Sequence, residues 1–189
     1  MDHETQNYRY CIDADDLLIE VDALWLAFAR ENGASQLTEA AVLGRSLWNF
    51  VEGEAIRAVY KDIHVRLRSE RKSAAFTFRC DSPRLKRHMR MTITPGEDGQ
   101  LQYASHIVWT EPQRMHALLD TDLQRSKAFL TVCSCCKKAL LEPDSWLEIE
   151  KVSLSVGLLE SSKAPQLRHS ICPKCSDLLR HSIVNSDVA

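Results

Sequence analysis

The stretch Tyr8–Asp22, YRYCIDADDLLIEVD, sets the architecture of the N-terminal half. Tyr8, Tyr10 and Ile12 alternate with polar residues, which is the period-two pattern of a strand with one buried face. Asp13-Ala14-Asp15-Asp16 is turn chemistry, its carboxylates reading as solvated charge, and Leu17 to Val21 reads as a returning strand. The segment is therefore a hairpin. Asp22 suits an N-cap for the run Ala23 to Asn32, and Gly33 suits the residue after its end.

Working outward, Gly44 to Phe50 (GRSLWNF) reads as a compact turn or single helical turn. Residues 54–70 carry Ile56, Val59, Tyr60, Ile63 and Leu67 at helical spacing, with Arg57, Lys61, Arg66 and Arg68 elsewhere on the wheel. That spacing predicts an amphipathic helix. Strand patterns follow at 74–79 (AAFTFR), 88–94 (HMRMTIT) and 101–110, separated by Asp81-Ser82-Pro83 and by Pro95-Gly96-Glu97-Asp98-Gly99. Met115, Leu118, Leu119, Leu123 and Leu130 recur at roughly helical spacing, which predicts a connecting helix over 111–130. A hairpin, inserted helices and a three-strand meander make an α+β fold with a five-stranded antiparallel sheet and helices on one face.

This order resembles that of PAS-type sensor domains. The stretches YRYCIDADDLLIEVD, VLGRSLWNF and FRCDSP followed by a Met-containing strand are similar to those of a group of bacterial PAS-like proteins. The resemblance implies a PAS-like sensory or interaction domain over 1–110, a connecting helix over 111–130 and a separate small module over 131–189.

That module holds the chemistry. Of seven cysteines, five fall within 133–175, and clustering in a chain with no visible secretory signal points to metal or redox chemistry rather than to disulfides. Cys133-Ser134-Cys135-Cys136 and Cys172-Pro173-Lys174-Cys175 are two C-x2-C pairs, each able to present two thiolates to one tetrahedral ion. The expected ligands are Cys133, Cys136, Cys172 and Cys175, with Zn2+ as a structural metal in a zinc-ribbon-like module; four protein ligands leave no open position for catalysis. Cys135 leaves the register open, because a C-x-C pair with Cys133 would also bind metal. Lys137, Lys138, Arg168, His169 and Lys174 flank the ligands and would offset their negative charge, with His169 a supporting donor. The block resembles a short four-cysteine module appended to bacterial PAS proteins and other signalling proteins. There, C-S-x-C-K is followed, after a Trp and a Glu-containing strand, by a His-containing I-C-P-x-C. The matching positions are Cys133 to Lys137, Trp146, Glu148 and His169 to Cys175.

Other features carry plainer readings. The chain has 189 residues, 44% hydrophobic and 26% charged, with a net charge of −2 and no long apolar run, so a membrane span is not expected. Residues 1–56 carry eleven acids against three arginines, and residues 57–90 eleven bases against three acids. The two segments are expected to fold against each other; a nucleic-acid footprint over 57–90 is the lesser reading, since aromatics are not interleaved with the bases. His64 is the position where a PAS haem ligand would stand, but a satisfied side chain at the edge of the apolar stripe is the ordinary reading. Cys80 reads as a packed strand-end thiol, and Trp25, Trp48 and Trp109 as core or cavity lining. Lys163 to His169 does not pattern as a strand, which disfavours a thioredoxin-like role for the second cysteine pair. No nucleophile elbow, phosphate loop or metalloprotease motif is present, so no enzyme is expected.

The expectation is a cytoplasmic signalling protein whose PAS-like domain senses a small-molecule ligand or partner, and whose zinc module contacts a protein signalling partner. A homodimer is implied by the resemblance. The alternatives are a redox sensor that releases zinc on thiol oxidation, with Cys135 as exchange thiol, and a nucleic-acid-binding regulator. Replacing Cys172 is expected to loosen the C-terminal third alone.

Overall fold

The computed structural model describes residues 6–120, 122–155 and 163–184. β1 (Tyr8–Ile12) and β2 (Leu18–Val21) pair antiparallel. Their turn closes on Asp13, whose carboxylate accepts from the N–H groups of Asp15 (2.9 Å) and Leu17 (2.8 Å). α1 (Ala23–Glu31) starts where the Asp22 carboxylate accepts from Trp25 N–H at 2.6 Å. After α2 (Glu39–Val42) and a 3-10 turn at Leu47–Asn49 comes α3 (Glu54–Glu70), whose Ile56, Val59, Ile63 and Leu67 are buried. β3 (Ser73–Arg79), β4 (Leu85–Pro95) and β5 (Leu101–Pro112) form the meander, and β1 joins the free edge of β5. The strand order β2-β1-β5-β4-β3 is a PAS-like five-stranded antiparallel sheet. Alternate residues Phe76, Met91, Ile93, Leu101 and Tyr103 meet the apolar stripe of α3 in one core.

The C-terminal part is a second, four-stranded sheet. β6 (Arg125–Cys133), β7 (Lys138–Glu142) and β8 (Ser145–Glu148) run antiparallel, α4 (Ile149–Ser155) follows, and β9 (Ala164–Ser170) pairs parallel with β6. α5 (Pro173–Arg180) packs on α3, and β10 (Ile183–Val184) adds a short sixth strand at the β3 edge of the first sheet. Residues 156–162 and 185–189 of the expected module lie outside the described residues.

Two expectations are corrected. Residues 111–130 are not a helix: β5 runs on to Pro112, a 3-10 turn occupies Ala117–Leu119, and β6 begins at Arg125. The Arg125 guanidinium donates to the carbonyls of Leu118, Asp120 and Pro165, satisfying loop acceptors that a helix would have paired internally. The apolar spacing instead serves a second small core, where Leu118 and Leu130 pack with Val132, Ala139, Ile149 and Val152. The segment 164–170 is a strand, because its pairing with β6 supplies what its weak alternation does not.

The second sheet has its own small core, but the cysteine turns pack into that of the first. Cys133, Cys135, Ile171, Cys172, Cys175 and Leu179 belong to the same buried cluster as Ile56, Ile63, Phe76 and Tyr103. Gly53 marks how close the two parts come: at φ 99° it caps α3, and a Cβ there would stand 2.4 Å from the His169 carbonyl oxygen of β9. Only glycine fits both the conformation and the approach.

The turn carboxylates are not all solvated. Asp16, at φ 60° and with 14% of its side chain exposed, accepts from Trp48 Nε1 (3.0 Å), Arg68 (2.7 Å) and His64 Nδ1 (3.0 Å). A carboxylate only accepts, so Nδ1 carries the imidazole proton and Nε2 accepts from the Tyr103 hydroxyl. His64 is 1% exposed, and burial holds its pKa down at about 4 against the pull of Asp16. It is thus a satisfied core histidine, deeper than the edge position its spacing implied.

Two predictions follow from these contacts. A histidine whose folded pKa lies below its unfolded value near 6.5 contributes stability that is present above pH 6.5 and lost as pH falls through about 4. Denaturant melts between pH 7 and pH 4 should lose stability across that window, and His64→Gln should flatten the loss. Gly53→Ala combines an unfavourable φ, costing about 1–3 kcal/mol, with a backbone collision, and should lower the denaturation midpoint more than alanine at exposed Gly44, whose neighbourhood is open.

Candidate metal centre

The four sulfurs of Cys133, Cys136, Cys172 and Cys175 lie within 4.8 Å of one another and could hold a metal ion. Two short turns bring them there. Cys133 ends β6; the chain then reverses through Ser134–Lys137, with Lys137 at φ 63° and its N–H donating to the Cys133 carbonyl at 3.0 Å. Cys172 is the N-cap of α5, Pro173 pre-sets the first helical residue, and Cys175 sits in the first turn. Ser134 N–H donates to the Ser170 carbonyl at 2.8 Å, tying one turn to the other.

Backbone donors already point at the sulfurs. Cys172 N–H donates to Cys133 Sγ and Cys175 N–H to Cys172 Sγ, both at 3.4 Å. The thiols of Cys136 and Cys175, then the backbone N–H groups of Cys136 and Cys172, hold the Cys133 thiol well below its ordinary pKa. Cys136, hydrogen-bonded to Cys133, is pushed up to about 12. The all-sulfur donor set, half-formed N–H···S bonds and burial fit a thiophilic cation.

Cys135 goes elsewhere. Its Sγ faces the Thr77 carbonyl at 3.6 Å on β3, although its thiol also contacts Cys175. The flanking cations are mostly engaged away from the sulfurs. Lys138 pairs with Glu148 at 3.5 Å, Arg168 lies over the Phe129 ring, and His169 faces Glu52 at 3.7 Å rather than a ligand sulfur. Lys137 remains at its own turn, donating to the Ser134 carbonyl.

The centre is tied to the first sheet by Arg79, which is 9% exposed at the end of β3. Its N–H donates to the Cys135 carbonyl at 2.7 Å. Its guanidinium meets Asp81, Glu150 at 2.7 Å and Glu148 at 3.3 Å. Burial would raise the Glu150 carboxyl, but Arg79 and Lys86 hold it at about 2. Sequence reading missed this cluster, since Arg79 stands 69 and 71 residues from Glu148 and Glu150.

The other candidates are placed as follows. Burial raises the Cys80 thiol, so it is a packed thiol and not an activated one. Trp25 and Trp48 pack against the core. Trp109 does not: it is 47% exposed and stacks on His88 with ring centroids 3.9 Å apart. The basic segment meets the acidic one through Arg68 and Asp16, but Arg79 and Lys86 turn to the C-terminal acids. Among the described residues no helix is long and apolar enough to cross a membrane.

No family model and no curated protein matches the chain. A sensory box sensor histidine kinase from Vibrio cholerae aligns with TM-score 0.39 and 11% identity, over 55% of this chain and 82% of that one. A domain of an HTR-like protein from Haloarcula marismortui aligns with TM-score 0.36 and 14% identity, over 55% and 98%. The strand order, not these likenesses, assigns the fold.

Removing one partner from a buried ion cluster costs about 3–5 kcal/mol. Arg79→Met should therefore destabilise the protein by about 3 kcal/mol in urea unfolding, whereas Lys72→Met, at an exposed pair, should change it by less than about 1 kcal/mol.

Proposed function

We propose that the chain is a non-enzymatic signalling protein in which a PAS-like domain senses a ligand or partner and a structural zinc centre presents a protein-contact surface. The observation that carries this reading is the convergence of four cysteine sulfurs within 4.8 Å, three of them on buried residues, on two turns that pack into the core of the PAS-like sheet. Cys133, Cys136, Cys172 and Cys175 are the ligands. Zinc is the metal that tetrahedral all-thiolate sites most commonly hold, and such sites contribute about 10–16 kcal/mol of apparent binding energy in small peptides. When bound, the ion supplies a rigid cross-link. The chain's own residues do the rest: the N–H groups of Cys172 and Cys175 stabilise thiolates, Lys137 ties down the Ser134 carbonyl of the first turn, and the Arg79 N–H joins that turn to β3.

A PAS-like unit to 110 and a cysteine module from 131 are part of this reading, although the second sheet starts earlier, at Arg125, and β10 returns to the first sheet. Dimerisation, cytoplasmic residence and a bacterial origin belong to the same reading. The nucleic-acid alternative gains no support, because Arg57, Arg68, Arg79 and Arg87 are engaged within the protein.

A redox reading is favoured by one feature, the contact of Cys135 with Cys175. A peroxide would take two electrons from this pair, forming a disulfide, leaving as water and releasing the metal.

Elemental analysis of the purified chain should give about one Zn per chain, and Cys172→Ser should lose it. Because the core is shared, that variant should also open α3 and β3 to limited proteolysis, and not the C-terminal third alone. Absence of metal under reducing, chelator-free handling would refute the reading. If the redox route operates, mild peroxide should release zinc from the native chain and spare Cys135→Ser.

A further inference from the structure

A cavity of about 340 Å3 opens where the two parts meet. One wall is aromatic and comes from the PAS-like part, with Tyr10, Tyr60 and Phe78. The opposite wall comes from the cysteine turns, with Ser134, Cys135 and Leu179. A second hollow of about 260 Å3 shares Tyr10, Val51 and Phe78 with it and continues towards Trp25 and Met89. Glu52 and His169, 3.7 Å apart, stand on the lining as its polar pair. The volume falls at the low end of the roughly 300–1,000 Å3 range of small-molecule sites, which suits one or two rings.

Burial drives the Tyr10 and Tyr60 phenols well above their ordinary pKa, so the deep wall is neutral. A charged group would be desolvated there without a counter-charge. Aromatic walls favour a flat π-system, and Glu52 and His169 offer one acceptor and one titratable nitrogen to a single polar substituent.

The metal side of this cavity is the unusual part. Ser134 lies between Cys133 and Cys136, Cys135 precedes Cys136, and Leu179 stands one helical turn beyond Cys175. A shift of the ligand sulfurs cannot leave these three side chains in place. We infer that the cavity binds a small, neutral aromatic molecule bearing one hydrogen-bonding group, and that this binding is coupled to metal retention, because the residues between and beside the metal ligands form one of its walls. The inference rests on the zinc reading above. Coupling is reciprocal: a ligand that tightens zinc binding must itself bind more weakly when the zinc is gone.

2-Naphthol is a suitable probe, titrated by fluorescence into zinc-loaded full-length protein whose metal content has been verified. Saturable one-site binding is expected, together with zinc affinity, read by equilibrium competition with a chelator, raised about fivefold or more at saturation, within the usual range of coupling. Val51→Trp, which fills the shared mouth of the two hollows, should abolish binding while keeping zinc. The zinc competition needs no variant, so it decides the matter even if Val51→Trp misfolds. No binding to the zinc-loaded protein, or binding that leaves the zinc affinity unchanged, would overturn the inference while the zinc reading stood. Equal affinity in folded Val51→Trp would overturn the cavity assignment. A chain that carries no zinc as purified would refute the zinc reading and the coupling with it.

Discussion

Arg79 is the residue through which the two halves of the molecule hold each other. Its backbone N–H reaches the Cys135 carbonyl at 2.7 Å, and its guanidinium binds Asp81 of its own strand connection together with Glu148 and Glu150 of the second sheet. A buried guanidinium is costly unless every donor finds an acceptor. Here the acceptors come from both parts, so satisfying the charge requires that they be assembled in one relative position. Apolar contact between α5 and α3 and the pairing of β10 with β3 then act on parts already brought together.

A metal site on this frame has a consequence that an appended, independent module would lack. Burial of Cys133, Cys172 and Cys175 in the same cluster as Ile63 and Tyr103 means that the state of the sulfurs is felt on the inner face of the PAS-like sheet. Interiors are packed closely enough that a displaced turn is transmitted as altered packing instead of being absorbed. The polar hub of Asp16, His64, Arg68 and Tyr103 stiffens the other end of α3. The helix therefore runs between a hydrogen-bonded anchor and the cysteine turns.

Local patterns were legible wherever one residue's chemistry sufficed. Asp22 as a cap, the apolar stripe of Ile56 to Leu67, the alternation of β1 and β3 to β5, and the pairing of the four cysteines all declare themselves within a few residues. What failed depended on distant partners. β9 is a strand because β6 is beside it, and 111–130 is extended because Arg125 supplies its carbonyls with donors. Asp16 looked like solvated turn charge because its partners, Trp48, His64 and Arg68, lie 32 to 52 residues away. Trp109 looked like core because strand alternation does not reveal which face is covered. Near the centre, spacing left Cys135 and Cys136 equivalent, and only the reach of Cys135 to Thr77 on β3 separates them.

The account stands on the claim that the cysteine centre and the PAS-like sheet form one cooperative core. Amide hydrogen exchange on the full chain, with zinc bound and after its removal by EDTA, measures this directly. The shared core predicts that removing the metal raises exchange in α3 and β3 together with α5 and the β6–β7 turn. Unchanged protection in α3 and β3, with loss confined to the cysteine turns, would contradict it.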